Sequence, residues 1–199
     1  MKQILTLLAA LVLAMVLSGC ADKPSDAQTK QDAVDTANAG LVDKSFFELV
    51  TAKRANGWEK EKTYVVRYDM QFKSTLGYAG MLTALARQME AEPMSGGELG
   101  KAALLMGISM KYSDAALVKP FREWSRENQE TDEYRQTVGR FLSEAPADKE
   151  HARQLMLLGA YDILTEDAHI PLGMKKGDPY AYWTEIVYIK SEKGWIRQR

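Results

Sequence analysis

The stretch "TYVVRYDMQFK" (63–73) constrains this chain more than any other. Tyr64, Val66, Tyr68, Met70 and Phe72 alternate with Val65, Arg67, Asp69, Gln71 and Lys73. A period of two places successive side chains on opposite faces of an extended chain. The pattern predicts a strand with one buried and one wet face, the habit of antiparallel sheets. Upstream, Ser45–Lys53 reads as a partner strand, with a turn at Ala55-Asn56-Gly57 extended by the charged run "EKEK".

The far end predicts a second sheet element. Tyr180, Tyr182, Thr184, Ile186 and Tyr188 alternate with Ala181, Trp183, Glu185, Val187 and Ile189. Both sets are largely apolar, so the strand is expected to be central and covered on both faces. A turn at 191–194 leads to a short last strand at Trp195-Ile196.

Helical spacing fills the middle. Tyr78, Met81, Leu82, Leu85 and Met89 share a face, and Pro93 ends that helix. Leu99, Ala102, Ala103, Met106 and Met110 mark another, and the methionines read as core fillers. Pro120 is placed in the first turn of a third helix. Thr131 and Asp148 are expected to cap two more. Sheet, helices, then sheet predicts an α+β fold: an antiparallel sheet packed with helices, the helical segment lying between the first and last strands.

Lys2 precedes an apolar run, Ile4–Leu17, that is shorter than the ~20 residues needed to span a bilayer. A charge before it and small residues after it are the layout of a secretory signal. Leu17-Ser18-Gly19-Cys20 resembles the bacterial lipobox. That resemblance implies cleavage of residues 1–19, lipidation of Cys20 and anchoring by acyl chains, of which two or more give stable attachment. Ala21 after the cysteine implies the outer membrane, with the protein on its periplasmic face. Residues 20–40 hold little bulky apolar surface and read as a lipidated N-terminus and flexible tether, with a weak helix over Ala27–Ala39 as the alternative. One globular domain is expected over 41–199.

"FELVTAKRANG…KTYVVRYDMQFK" and the closing "KKGDPYAYWTEIVYIKSEKGWI" together resemble small bacterial envelope lipoproteins of cystatin-like or nuclear-transport-factor-like type. The hairpin residues Lys190, Glu192, Lys193, Gly194 and Trp195 carry that likeness. It implies a curved antiparallel sheet around a helix, with 98–166 as an insertion.

Charge is nearly balanced, with 26 basic against 27 acidic side chains, which gives no electrostatic reason to expect nucleic acid. Cys20 is the only cysteine and there are two histidines, so neither an intrachain disulfide nor a Cys/His zinc site is expected. No cofactor is implied. "MGISM" (106–110) contains Gly-x-Ser but is not followed by the second Gly of a nucleophile elbow, and "SGGELGK" (95–101) departs from a phosphate loop. Glu166, Asp167 and His169 in "TEDAH" form the one candidate acid–base set, against the plainer reading of a solvated helix end. Tyr180, Tyr182, Trp183, Tyr188 and Trp195 are the candidate partner surface, weighed against a role in the core. The expected function is a non-enzymatic binding module of the envelope, holding a protein or a small apolar ligand. The alternative is an envelope hydrolase acting on peptidoglycan, lipid or peptide.

Overall fold

The computed structural model describes residues 23–91, 97–192 and 194–198. Cys20, Ala21, the apolar run, Pro93 and Lys193 lie outside them. The fold is α+β, with an open four-stranded antiparallel sheet in the order β1-β2-β3-β4 and six helices among the described residues. The strands are β1 (Phe47–Lys60), β2 (Thr63–Ser74), β3 (Pro179–Ser191) and β4 (Gly194–Arg197). The chain divides into two compact units.

The first unit holds the residues up to Leu41, Leu49–Phe72 and those from Pro179 onward. The alternation expected in β2 is present: Val66, Tyr68, Met70 and Phe72 are buried while Asp69, Gln71 and Lys73 are exposed. Ala55-Asn56-Gly57 makes no turn, because β1 continues to Lys60 beside β2. The reversal falls at Glu61-Lys62, where Glu61 takes a left-handed φ of 57°. β3 is internal in the sheet, but only one of its faces is covered. Thr184, Ile186 and Tyr188 are buried, whereas Trp183 is 57% exposed and Ile189 41%. β4 pairs antiparallel with it, Ile189 opposite Ile196 and Ser191 opposite Gly194.

Residues 26–40 are not a free tether. They form helix α1 (Asp26–Gly40), close to the 27–39 alternative, capped where the Ser25 hydroxyl accepts from Gln28 N–H at 3.2 Å. Thr29, Ala33 and Ala37 repeat every four residues on its buried face. Small side chains let the helix lie close against β3. Polar bonds then fix it: Thr29 to the Tyr68 hydroxyl at 2.9 Å, Tyr188 to Asp32 at 2.5 Å, and Arg197 to Thr36 at 2.8 Å.

The second unit comprises Val42–Glu48 and Lys73–Asp178. Its helices are α2 (Tyr78–Ala91), α3 (Gly97–Lys111), α4 (Ala115–Asn128), α5 and α6 (Glu150–Asp162). α5 runs from Asp132–Tyr134 through a π-helical turn, Arg135–Gly139, to Arg140–Ser143. A second π turn, Ile163–Asp167, extends α6. Met81, Leu82, Val138, Phe141, Ala160 and Leu164 are fully buried and form the core. Arg153 ties three helices together: it bonds Glu90 at 2.9 Å and the Phe141 carbonyl at 2.6 Å, and lies over the Phe141 ring.

Three helix expectations change. Thr131 caps α5 as expected, its hydroxyl accepting from Tyr134 N–H at 3.2 Å, but Asp148 does not cap α6, which starts from Lys149 with no side-chain cap. Pro120 lies inside α4 rather than in its first turn, because Asp114 starts the helix earlier by accepting from Ala116 N–H at 2.8 Å. Met106 and Met110 are not core fillers; they are 65% and 68% exposed.

Candidate functional site

Two adjoining clefts in the second unit share Trp124, Asn128, Leu172 and Gly173 and form one groove. The larger has a volume of about 430 Å³. Its floor is built from α4. Trp124, only 5% exposed, meets the Tyr78 ring edge-on at 5.1 Å and the Tyr134 ring at 5.8 Å. Edge-to-face aromatic contacts of this kind hold a ring in one orientation. The indole N–H donates to the Leu172 carbonyl at 3.3 Å, and Asn128 donates to the Trp124 carbonyl at 2.8 Å.

The opposite wall is the loop from Pro171 to Lys176. Its shape is fixed by backbone bonds: Met174 N–H to Pro171 at 3.0 Å, and Tyr78 N–H to Met174 at 2.8 Å. The Asp178 carboxylate accepts from Lys175 N–H at 2.8 Å. Leu172 lines the groove and is 37% exposed.

The rim is charged and asymmetric. Glu123 and Glu127 stand at one end, and Lys175 and Lys176 at the other. Glu133 also lines the lysine end; its carboxylate accepts from Gly80 N–H at 3.3 Å, in the first turn of α2. That position suits an anion, since the helix N-terminus carries partial positive charge. The Tyr78 phenol borders this groove and is buried; no hydrogen-bond partner reaches its oxygen among the described residues. Burial, and then the nearby Tyr161 and Tyr112 hydroxyls, push its pKa well above the ordinary tyrosine value.

The residues singled out in the sequence fall elsewhere. Glu166 and Asp167 are exposed in the π turn after α6. His169 is exposed with a left-handed φ of 53°, and its Nδ1 lies 3.3 Å from the Thr165 carbonyl. Neither carboxylate is bonded to the imidazole, and the three line none of the described clefts. Among the described residues no group of three or more His, Cys, Asp and Glu could hold a metal ion. Strand alternation divides the aromatic set. Tyr188 and Trp195 are buried, Tyr180 and Tyr182 are half-buried, and Trp183 points to the other face. There the Arg67 guanidinium lies 4.7 Å above its ring.

Trp124, Asn128, Leu172 and the two lysines were not legible as a site. Trp124 looks like one more apolar helix position. The only hint is the Pro/Gly-punctuated "IPLGMKKGDP" between helix and strand, a composition that marks an ordered loop as often as a binding one. No helix among the described residues is long and apolar enough to cross a membrane. No protein-family model matches the chain, and neither a curated protein nor a solved structure matches it.

Proposed function

We propose that this is a lipid-anchored envelope protein, held at the periplasmic face of the outer membrane by Cys20, that works by binding an extended segment of another envelope protein. The observation that carries the reading is the groove. Its floor is apolar, Glu123 and Glu127 stand at one end, and Lys175 and Lys176 stand at the other, where Glu133 is already engaged by the Gly80 N–H. An apolar strip gives affinity, and charges of opposite sign at its two ends give direction and register. A wholly apolar small molecule would leave those rim charges without a role. Glu166, Asp167 and His169 are exposed and line none of the described clefts, which argues against the hydrolase alternative, since an acid and a base must both reach one bound, reacting bond.

The test uses the full-length chain in its own cells. A photo-crosslinking residue at Leu172 should capture one discrete envelope protein, and the same residue at Glu166 should not. Charge reversal of Lys175 and Lys176 together should abolish the Leu172 adduct while leaving the fold intact. Loss of deletion-strain rescue in folded Glu166→Gln or His169→Ala, with groove variants still active, would replace the binding reading with the hydrolase. Cys20→Ala tests the anchor separately: it should release the protein from membranes or stall it as precursor.

A further inference from the structure

We propose that α3 is the contact face of a two-fold homodimer, in which a second copy of this chain lays its own α3 antiparallel across this one. The proposal goes beyond the groove reading and does not depend on it. α3 is apolar on both sides, yet only one side is covered. Ile108 packs toward α6, close to Gly159, and Lys101 bonds the Glu90 carbonyl at the end of α2. On the opposite side Leu99 is 83% exposed, Met106 65% and Met110 68%, with Ala103 between them. A helix that is apolar all round is normally buried all round.

The pattern specifies the occupant. Leu99, Ala103, Met106 and Met110 are spaced by four, three and four residues, the seam of a helix that packs along another helix. Around an antiparallel two-fold centred between Leu104 and Leu105, Leu99 meets the partner's Met110, and Ala103 meets the partner's Met106. Each large side chain at the centre faces a small one, and the seam is complementary to itself. Such a self-complementary patch is what an isologous interface requires. The positions flanking the seam are Gly100 and Gly107 on one side and Ala102 and Ser109 on the other. Small flanks let two backbones approach closely.

The helix dipoles favour the same arrangement: antiparallel pairing opposes them, whereas parallel pairing would align them. A lipid surface fits less well. Helices that lie in a bilayer interface offer cations beside the apolar face. Here Lys101 is turned to the Glu90 carbonyl and Lys111 is paired with Asp162.

α3 has 15 residues, and its seam from Leu99 to Met110 is about 17 Å long. One helix face of that length buries less than the ~800 Å² per partner of a standard interface, which makes the dimer weak and concentration-dependent. It is therefore tested in membranes of cells making the full-length chain. Two differently tagged copies are co-expressed, one with Ala103→Cys and the other with Met106→Cys, and then oxidised. Cross-links between the two copies should exceed those within either tag by several-fold. Leu99→Cys paired with Met110→Cys should behave the same way. Copies with no added cysteine report any contribution of Cys20.

Cross-linking that is equal within and between tags, or no greater than with unsubstituted copies, overturns the proposal. So does protection of the new cysteines from maleimide without cross-linking, which would mean that something else covers the face. Met106→Glu in both copies should remove the Leu99→Cys/Met110→Cys cross-link with helix content unchanged; a persistent cross-link also overturns it. Should Met106→Glu fail to fold, the Ala103→Cys/Met106→Cys comparison decides alone, since neither change adds charge.

Discussion

The Tyr188 phenol donates a 2.5 Å hydrogen bond to the Asp32 carboxylate, joining the third strand to a helix 156 positions earlier in the chain. Tyr188 is fully buried, and Asp32 also lies 3.8 Å from the Arg197 guanidinium. The bond links the first and last parts of the first unit and sets the register of α1 on the sheet.

Tyr188→Phe should therefore destabilise the protein by about 1.5–3 kcal/mol, the range for a hydrogen bond to a charged group. Denaturant melts measure it. Burial, then the bond to Asp32 and its charge, raise the Tyr188 pKa above the ordinary tyrosine value. The folded phenol keeps its proton where the unfolded one has lost it. This contribution is complete below about pH 10 and disappears as pH rises beyond that. The wild type should lose stability more steeply above about pH 10 than Tyr188→Phe does. Parallel curves would show that Tyr188 is not protected.

Tyr78 is expected to behave in the opposite sense. It is equally buried, but its hydroxyl has no partner among the described residues. An unsatisfied buried polar group costs about 1–3 kcal/mol. Tyr78→Phe should leave stability unchanged or raise it by about 1 kcal/mol, with the ring still packed on Trp124. A loss matching that of Tyr188→Phe would mean the hydroxyl is bonded after all.

Neighbouring residues on β2 test the strand. Tyr68 is buried and bonds Thr29, whereas Arg67 stands on the open face beside Trp183. Tyr68→Ala should cost about 3–5 kcal/mol. Arg67→Ala should cost under about 1 kcal/mol, the worth of an exposed cation–π contact. Similar losses for both would refute the register.

In the second unit, Glu90→Ala should cost about 1–3 kcal/mol, because it leaves the Arg153 guanidinium short of a charged partner at a site where that side chain is 12% exposed. Arg153 keeps its bond to the Phe141 carbonyl, which limits the loss. Adding Arg153→Met to Glu90→Ala should recover part of it. A strictly additive double variant would show that the pair is not coupled.

The sequence by itself determined the type of β2, of α2 and of the start of α5. β2 was legible because a period of two over eleven residues has one physical solution, and α2 because its apolar face repeats at helical spacing from Tyr78 to Met89. Thr131 was legible because capping is local chemistry, settled by a hydroxyl and the backbone N–H three residues on.

Tertiary structure decided what covers what. α1 escaped a search for bulky residues because its buried face is Thr29, Ala33 and Ala37, small groups that stabilise a helix only once a sheet lies against them. β3 reads as apolar on both faces, yet one of those faces is open. The same holds for Met106 and Met110. Hydrophobicity is a property of the residue, while burial depends on a neighbour that local sequence does not name. The groove follows the same rule: Trp124 and Leu172 lie 48 positions apart, and only the packing of α4 against the Pro171–Lys176 loop brings the indole N–H to the Leu172 carbonyl.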